Sequence, residues 1–233
     1  MIKQNLLIFT ILMLLFQFSN AQNGKIEMPL VDHPVSDFSL IDQNGERVVF
    51  SELQGKNVML IFPRGMVSDD HWCQICHYQY AELVDLEKTL SIREKYNLEV
   101  LFVLPYSRDS VAAWVEMFPQ QLKIIHDWKN PDTTNSSEKA LNWAKLINKI
   151  LPKEFNAEKG GIDILFPVLA DDQQLVSKGF KLYDDTKIKA PQNEPAVYIL
   201  NSEGVVKFKY VSQNTFDRPS FDYLFTIIEK IVL

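Results

Sequence analysis

Val58-Met59-Leu60-Ile61-Phe62, then Pro63 to Trp72, then Cys73-Gln74-Ile75-Cys76-His77 is the stretch on which the fold turns. Five apolar residues in a row read as a strand buried on both faces. The following residues, roughly Gln74 to Tyr96, carry Ile75, Tyr80, Leu83, Val84, Leu86 and Leu90 at helical spacing. A buried strand that passes through a short loop into a long helix is one half of a parallel crossover.

Working outward, the alternation continues on both sides. Upstream, Phe38 to Ile41 and Arg47 to Phe50 flank Asp42-Gln43-Asn44-Gly45, and Asn-Gly between apolar runs signals an N-terminal β-hairpin. Downstream, Glu99 to Leu104 is a second buried strand, and Ser107-Arg108-Asp109 starts a helix carrying Val111, Trp114, Val115 and Phe118. Residues 120–162 interrupt the pattern. Asn135 and Glu138 have capping-box spacing there, and Leu141, Ala144, Ile147 and Leu151 share one face, so one added amphipathic helix is expected. Strands at Phe166 to Ala170, Ala196 to Leu200 and Val205 to Val211, a short helix at Gln173 to Gly179 and a closing helix at Phe221 to Val232 complete the chain. The order predicts an α/β fold with a central mixed β-sheet flanked by helices and a helical insertion.

Both cysteines of the 233-residue chain lie in this strand-to-helix junction. The first turn of a helix presents unpaired N–H groups and the positive end of its dipole, which favour a thiolate over a thiol. Spacing of three residues brings Cys76 behind Cys73, within disulfide reach. Cys73, nearer the helix end and the solvent, is expected to attack; Cys76, one turn in, is expected to resolve. Other uses of the pair compete. A structural disulfide closing so short a loop would stabilise weakly. A metal site would need a second ligand pair at the usual spacing beside His71 and His77, and none is present, so no metal is expected. Cys-x-x-Cys-His is also the c-type haem attachment signature, but here it opens a helix inside an α/β pattern. A redox dithiol with no other cofactor is the favoured reading.

The ends and the charge bound the setting. Lys3, the apolar run Leu6 to Phe16 and Ser19-Asn20-Ala21 read as a signal peptide over residues 1–21, with an apolar run too short for a comfortable membrane span. Cleavage after Ala21 removes Lys3, takes the net charge from -6 to -7 and leaves no span. The mature chain is then exported, periplasmic or secreted, where disulfides persist. Residues 22–35 form a polar lead-in to a single domain over 36–233. An acidic balance without a Lys/Arg cluster excludes a nucleic-acid binder.

Taken in order, "SDFSLIDQNGERVVFSELQGKNVMLIF", "PRG", "WCQIC", "LFVLPYS", "FPVLADD" and "PAVYILNSEGVV" resemble the peroxiredoxin-like redoxins of the alkyl hydroperoxide reductase/thiol-specific antioxidant type. The resemblance covers about Val35 to Leu233 and implies a thioredoxin-like fold. It also implies thiol-dependent reduction of peroxides or disulfides, and a thiol electron donor to restore the dithiol. Two departures stand out. The Thr/Ser and Pro that peroxiredoxins carry three and seven residues before the peroxide-reducing cysteine are here Asp70 and Met66, and their late-strand Arg is replaced by Pro195.

A proline at Pro195 resembles the cis-proline that faces the cysteines in thioredoxins, so a cis bond is expected there although most X–Pro bonds are trans. Glu194 would then sit beside the site and bias substrate choice by charge. Trp72 is expected to shield the disulfide. Arg64, if it points inward, would lower the Cys73 pKa. His77, in the first turn, is expected to be exposed. The site so drawn favours a thiol–disulfide oxidoreductase acting on a disulfide-bearing protein, with a thiol peroxidase as the alternative.

Overall fold

The structure, a computed structural model, describes residues 26–68, 71–155, 162–186 and 190–232. The signal-peptide reading of residues 1–21 lies outside the described residues. Strands β1 (Ser39–Asp42) and β2 (Arg47–Val49) form the expected N-terminal hairpin, its turn closed by Asp42, whose carboxylate accepts the Asn44 and Glu46 N–H groups at 2.8 Å. The buried run becomes β3 (Asn57–Phe62), buried at every position, as its two-sided hydrophobicity requires. A small hairpin, β4 (Met66–Ser68) and β5 (His71–Trp72), then leads into α1 (Gln74–Leu90). Ser91, in the left-handed region at φ 49, stops that helix short of Tyr96, and a single turn α2 (Ile92–Lys95) follows.

Strand β6 (Leu98–Leu104) runs parallel to β3, and α3 (Arg108–Glu116) starts on the Ser107 hydroxyl, which accepts the Ser110 N–H. The insertion holds two helices where one was expected: α4 (Phe118–Lys129) and α5 (Glu138–Ile150). Pro119 at the first helical positions of α4, harmless there for want of an N–H partner, disguised its start. Ser137, two residues after Asn135, is the cap of α5. The insertion is tied down from below: the Nζ of Lys129, fully buried, donates to the Lys153 carbonyl, and the Tyr78 hydroxyl of α1 accepts the Lys153 N–H at 2.7 Å.

The remainder is β7 (Val168–Ala170), α6 (Leu175–Gly179), a short pair β8 (Tyr183–Asp184) and β9 (Gln192–Asn193), then β10 (Ala196–Leu200), β11 (Val206–Val211) and α7 (Phe221–Ile227). The seven-stranded sheet has the order β11-β10-β3-β6-β7-β1-β2, with β3, β6 and β7 parallel and the rest antiparallel. It is the mixed α/β sheet that the alternation implied. Side chains of its central strands alternate between two cores. Met59, Ile61, Val100, Phe102, Val197 and Ile199 face α1 and the other long helices; Val58, Leu60, Phe62, Leu101, Val103 and Tyr198 face Phe38, Phe50 and Phe180. No helix among the described residues is long and apolar enough to cross a membrane.

Candidate active site

The cysteines sit where β3 hands over to α1. Cys73 is the cap residue of α1, with extended backbone (φ -71, ψ 109), and Cys76 lies in the first turn with its N–H on the Cys73 carbonyl at 3.2 Å. The β4–β5 hairpin folds back so that the Cys73 N–H reaches the Gly65 carbonyl at 2.9 Å, and Met66 pairs with Trp72. Gly65 is required at that bend. Its φ is +82, and a Cβ would stand 2.5 Å from the Tyr106 ring and hydroxyl. Tyr106 in turn accepts the Met66 N–H at 2.8 Å, donates to the Pro191 carbonyl at 2.9 Å, and meets Trp72 edge-on at 5.6 Å. One phenol thus joins the two sides of the site.

This arrangement corrects the expectation that Cys73 faces solvent. Cys73 is 2% exposed and Cys76 1%, under Trp72 at 6%. Both thiols are free. The neighbouring Cys76 thiol, with burial, raises Cys73 well above the ordinary thiol value. Burial also opposes ionisation of Cys76, but the Cys73 S–H, the Arg218 charge and the N–H groups of Gly65 and Arg64 outweigh it and bring Cys76 down to about 6. Cys73 is thus held up and Cys76 brought down. The helix dipole favours ionisation at this turn in general, and the two loop N–H groups act on the second sulfur.

His77 is also displaced from expectation. It is fully buried, stacked on Trp114 at 4.3 Å and edge-on to Phe118 at 4.8 Å, because α3 and α4 close over the first turn of α1. Nδ1 lies 3.1 Å from the Cys73 carbonyl and Nε2 2.9 Å from the Trp114 carbonyl. Burial drives its pKa down to about 4. His71 stays exposed on β5, within 3.3 Å of the Gln74 amide.

The second side of the site comes from the far end of the chain. The Glu194–Pro195 bond is trans, as is every described peptide bond, against the cis expectation. The backbone there is held on both flanks, the Glu194 N–H on the Leu182 carbonyl at 2.6 Å and the Ser212 N–H on the Pro195 carbonyl at 2.8 Å, so the chain enters β10 in the commoner isomer. Pro195 and Glu194 do lie at a polar cleft of about 180 Å³, together with Arg64, Gln192, Asn193, Thr215 and Arg218. Arg64 points into this cleft: Nε donates to Gln192 and Nη1 to Thr215 Oγ1 at 3.3 Å. Its backbone, not its guanidinium, serves Cys76. The cation that acts on both sulfurs is Arg218, which sequence reading missed; it stands 142 residues beyond Cys76, and no local pattern marks it. Tyr106 and Asn193 were missed for the same reason.

A mixed sheet with a free dithiol at the start of its first long helix defines a thioredoxin-fold thiol oxidoreductase. The AhpC/TSA family model matches residues 31–209, and the chain belongs to that family. Among solved structures it is similar to the mitochondrial 2-Cys peroxiredoxin from Plasmodium falciparum, with TM-score 0.53 and 18% identity over 86% of this chain and 93% of that one. It is also similar to the reduced Plasmodium vivax 2-Cys peroxiredoxin (TM-score 0.54, 18% identity, 85% and 94% covered) and to Enterococcus faecalis AhpC (0.53, 16%, 86% and 91%). At these identities the likeness is one of fold. No curated protein matches the chain.

Proposed function

We propose that the chain is an exported thiol–disulfide oxidoreductase that works through Cys73 and Cys76. The observation that carries this reading is the placement of both sulfurs in one helical turn, each near enough to shift the other's ionisation, so that a mixed disulfide on one is resolved by the other without unfolding. Cys73 attacks a substrate disulfide after passing its proton to Cys76, and one substrate thiolate leaves. Cys76 gives its proton to the thiolate just released and attacks Cys73, and the second thiolate leaves. Overall, the dithiol and R–S–S–R′ become the Cys73–Cys76 disulfide, RSH and R′SH, a two-electron exchange that an external thiol donor reverses. Trp72 shields the pair, and Glu194 and Pro195 border the path of the substrate.

Family membership favours a second reading, thiol peroxidase chemistry, in which one sulfur becomes a sulfenic acid and the other condenses on it with loss of water. Arg218 beside the pair supports it, and Asp70, Met66 and Pro195 in place of the usual peroxiredoxin residues weigh against it. Haem attachment is disfavoured by the burial of Cys73, Cys76 and His77, whose ring nitrogens both face carbonyls. Stopped-flow Trp fluorescence of reduced protein separates the main pair. Rapid reaction with a disulfide and none with hydrogen peroxide on the seconds scale is expected; a fast peroxide response lost in Cys73→Ser would overturn the proposal. A mixed disulfide trapped in Cys76→Ser but not in Cys73→Ser identifies Cys73 as the attacking sulfur; the opposite pattern moves that role to Cys76.

A further inference from the structure

Arg218 is held in an unusual way. Its Nη1 donates to the Asn214 and Asp217 carbonyls at 3.1 and 3.0 Å, which fixes the guanidinium in the 212–218 loop. Its Nε and Nη2 are buried and have no hydrogen-bond partner. These two atoms form one edge of the guanidinium, the fork that matches both oxygens of a carboxylate. A charged edge whose two N–H groups are buried and unmatched is costly unless an acceptor arrives. The same cleft is lined by Arg64, which adds positive charge, and by Glu194, which offsets it.

We propose that the cleft beside the dithiol is a subsite for a carboxylate carried by the disulfide substrate, gripped by the Nε–Nη2 edge of Arg218. The inference rests on the exchange reading for its chemistry. The substrate class is a small disulfide with a carboxylate a few bonds from sulfur, since a space of about 180 Å³ admits an acid-bearing arm but not a folded surface. Gln192 and Thr215 hold Arg64 at the rim, so its charge attracts the acid without competing for it.

Alkylation tests this without assuming the natural reaction. Iodoacetate and iodoacetamide are close in size, each forms an S–CH2 bond with loss of iodide, and only one is an acid. For the reduced full chain, the iodoacetate-to-iodoacetamide rate ratio is expected to exceed that of a free thiol such as mercaptoethanol at least tenfold. Arg218→Gln should return it to the free-thiol value, and Arg218→Lys should recover only part. A wild-type ratio equal to that of the free thiol, or no reaction with either reagent, overturns the subsite. Equal slowing of both reagents in Arg218→Gln also overturns it, because Arg218 would then serve the sulfur alone. The wild-type ratio stands even if the variants misfold. A parallel assay with dithiodipropionate and its diamide reports on the exchange reading separately. A raised alkylation ratio without turnover of either disulfide would retain the subsite and reject the exchange.

Discussion

The two sides of the site are built on opposite plans. One side, Gly65 to His77, is continuous in sequence and held by short-range contacts: a hairpin, a bend at Gly65 and the first turn of α1. The other, 192–195 with 212–218, meets it through contacts between residues more than 80 apart in sequence, such as Tyr106 to Pro191, Arg64 to Thr215 and the Asn193 N–H on the Arg64 carbonyl at 3.3 Å. The first side carries the reacting atoms and the second carries the charge and the cleft. Local sequence therefore sets what the site can do, and distant sequence sets how readily and on what.

Substitutions can break that division. The largest effect is expected from Gly65→Ala, which forces a side chain into a positive φ against Tyr106; about 2–4 kcal/mol of stability and a melting temperature lower by roughly 10 °C should follow. A melting point unchanged within 2 °C would mean that the bend is looser than its geometry implies. His77→Leu comes next. With the folded pKa at about 4 and the unfolded one near its ordinary 6.5, the unfolded chain binds the extra proton between those values. Stability is therefore complete above 6.5 and falls as pH drops toward 4, by up to roughly 3 kcal/mol. Urea midpoints for wild type and His77→Leu should converge on acidification through that window; parallel curves would sink the account.

Smaller effects compare the two sides directly. Tyr106→Phe removes the hydroxyl that links them and should cost about 1–2 kcal/mol in urea unfolding, while speeding iodoacetamide attack on the dithiol. Alkylation of wild type should rise with pH through about 6, where Cys76 ionises. Arg218→Gln should move that midpoint upward, whereas Arg64→Gln should leave it in place, because only the first guanidinium acts on the sulfurs. A larger shift from Arg64→Gln would reverse the roles assigned to the two arginines. Least affected should be His71→Ala, with rates within about twofold of wild type, as befits an exposed side chain.

The same contrast explains what the sequence made legible. The run from Val58 to Phe62, the Asn44-Gly45 turn, Ser107 as a cap and the paired cysteines are decided by neighbours within a few residues, and each is found as read or within a residue or two. Helix α4 escaped notice because Pro119 hides its start. The exposure of Cys73 and His77 was misjudged because the covers, Trp114, Phe118 and Tyr106, arrive from other elements. Pro195 illustrates the hazard of reading a bond from a motif: its flanks, fixed by Leu182 and Ser212, hold the trans form. Arg218 carries no local mark, since its worth lies wholly in which atoms it meets after folding.

The distance in sequence between the two sides also orders events during synthesis. The dithiol emerges from the ribosome before Tyr106, Trp114 and Phe118, and well before residues 190–218, so its thiols stand uncovered until those later elements have docked, a step slowed by the closure of long loops. For most chains that interval invites wrong pairings. This one has two cysteines in all, so oxidation within the nascent chain has a single product, the same Cys73–Cys76 link that the finished protein is proposed to cycle through.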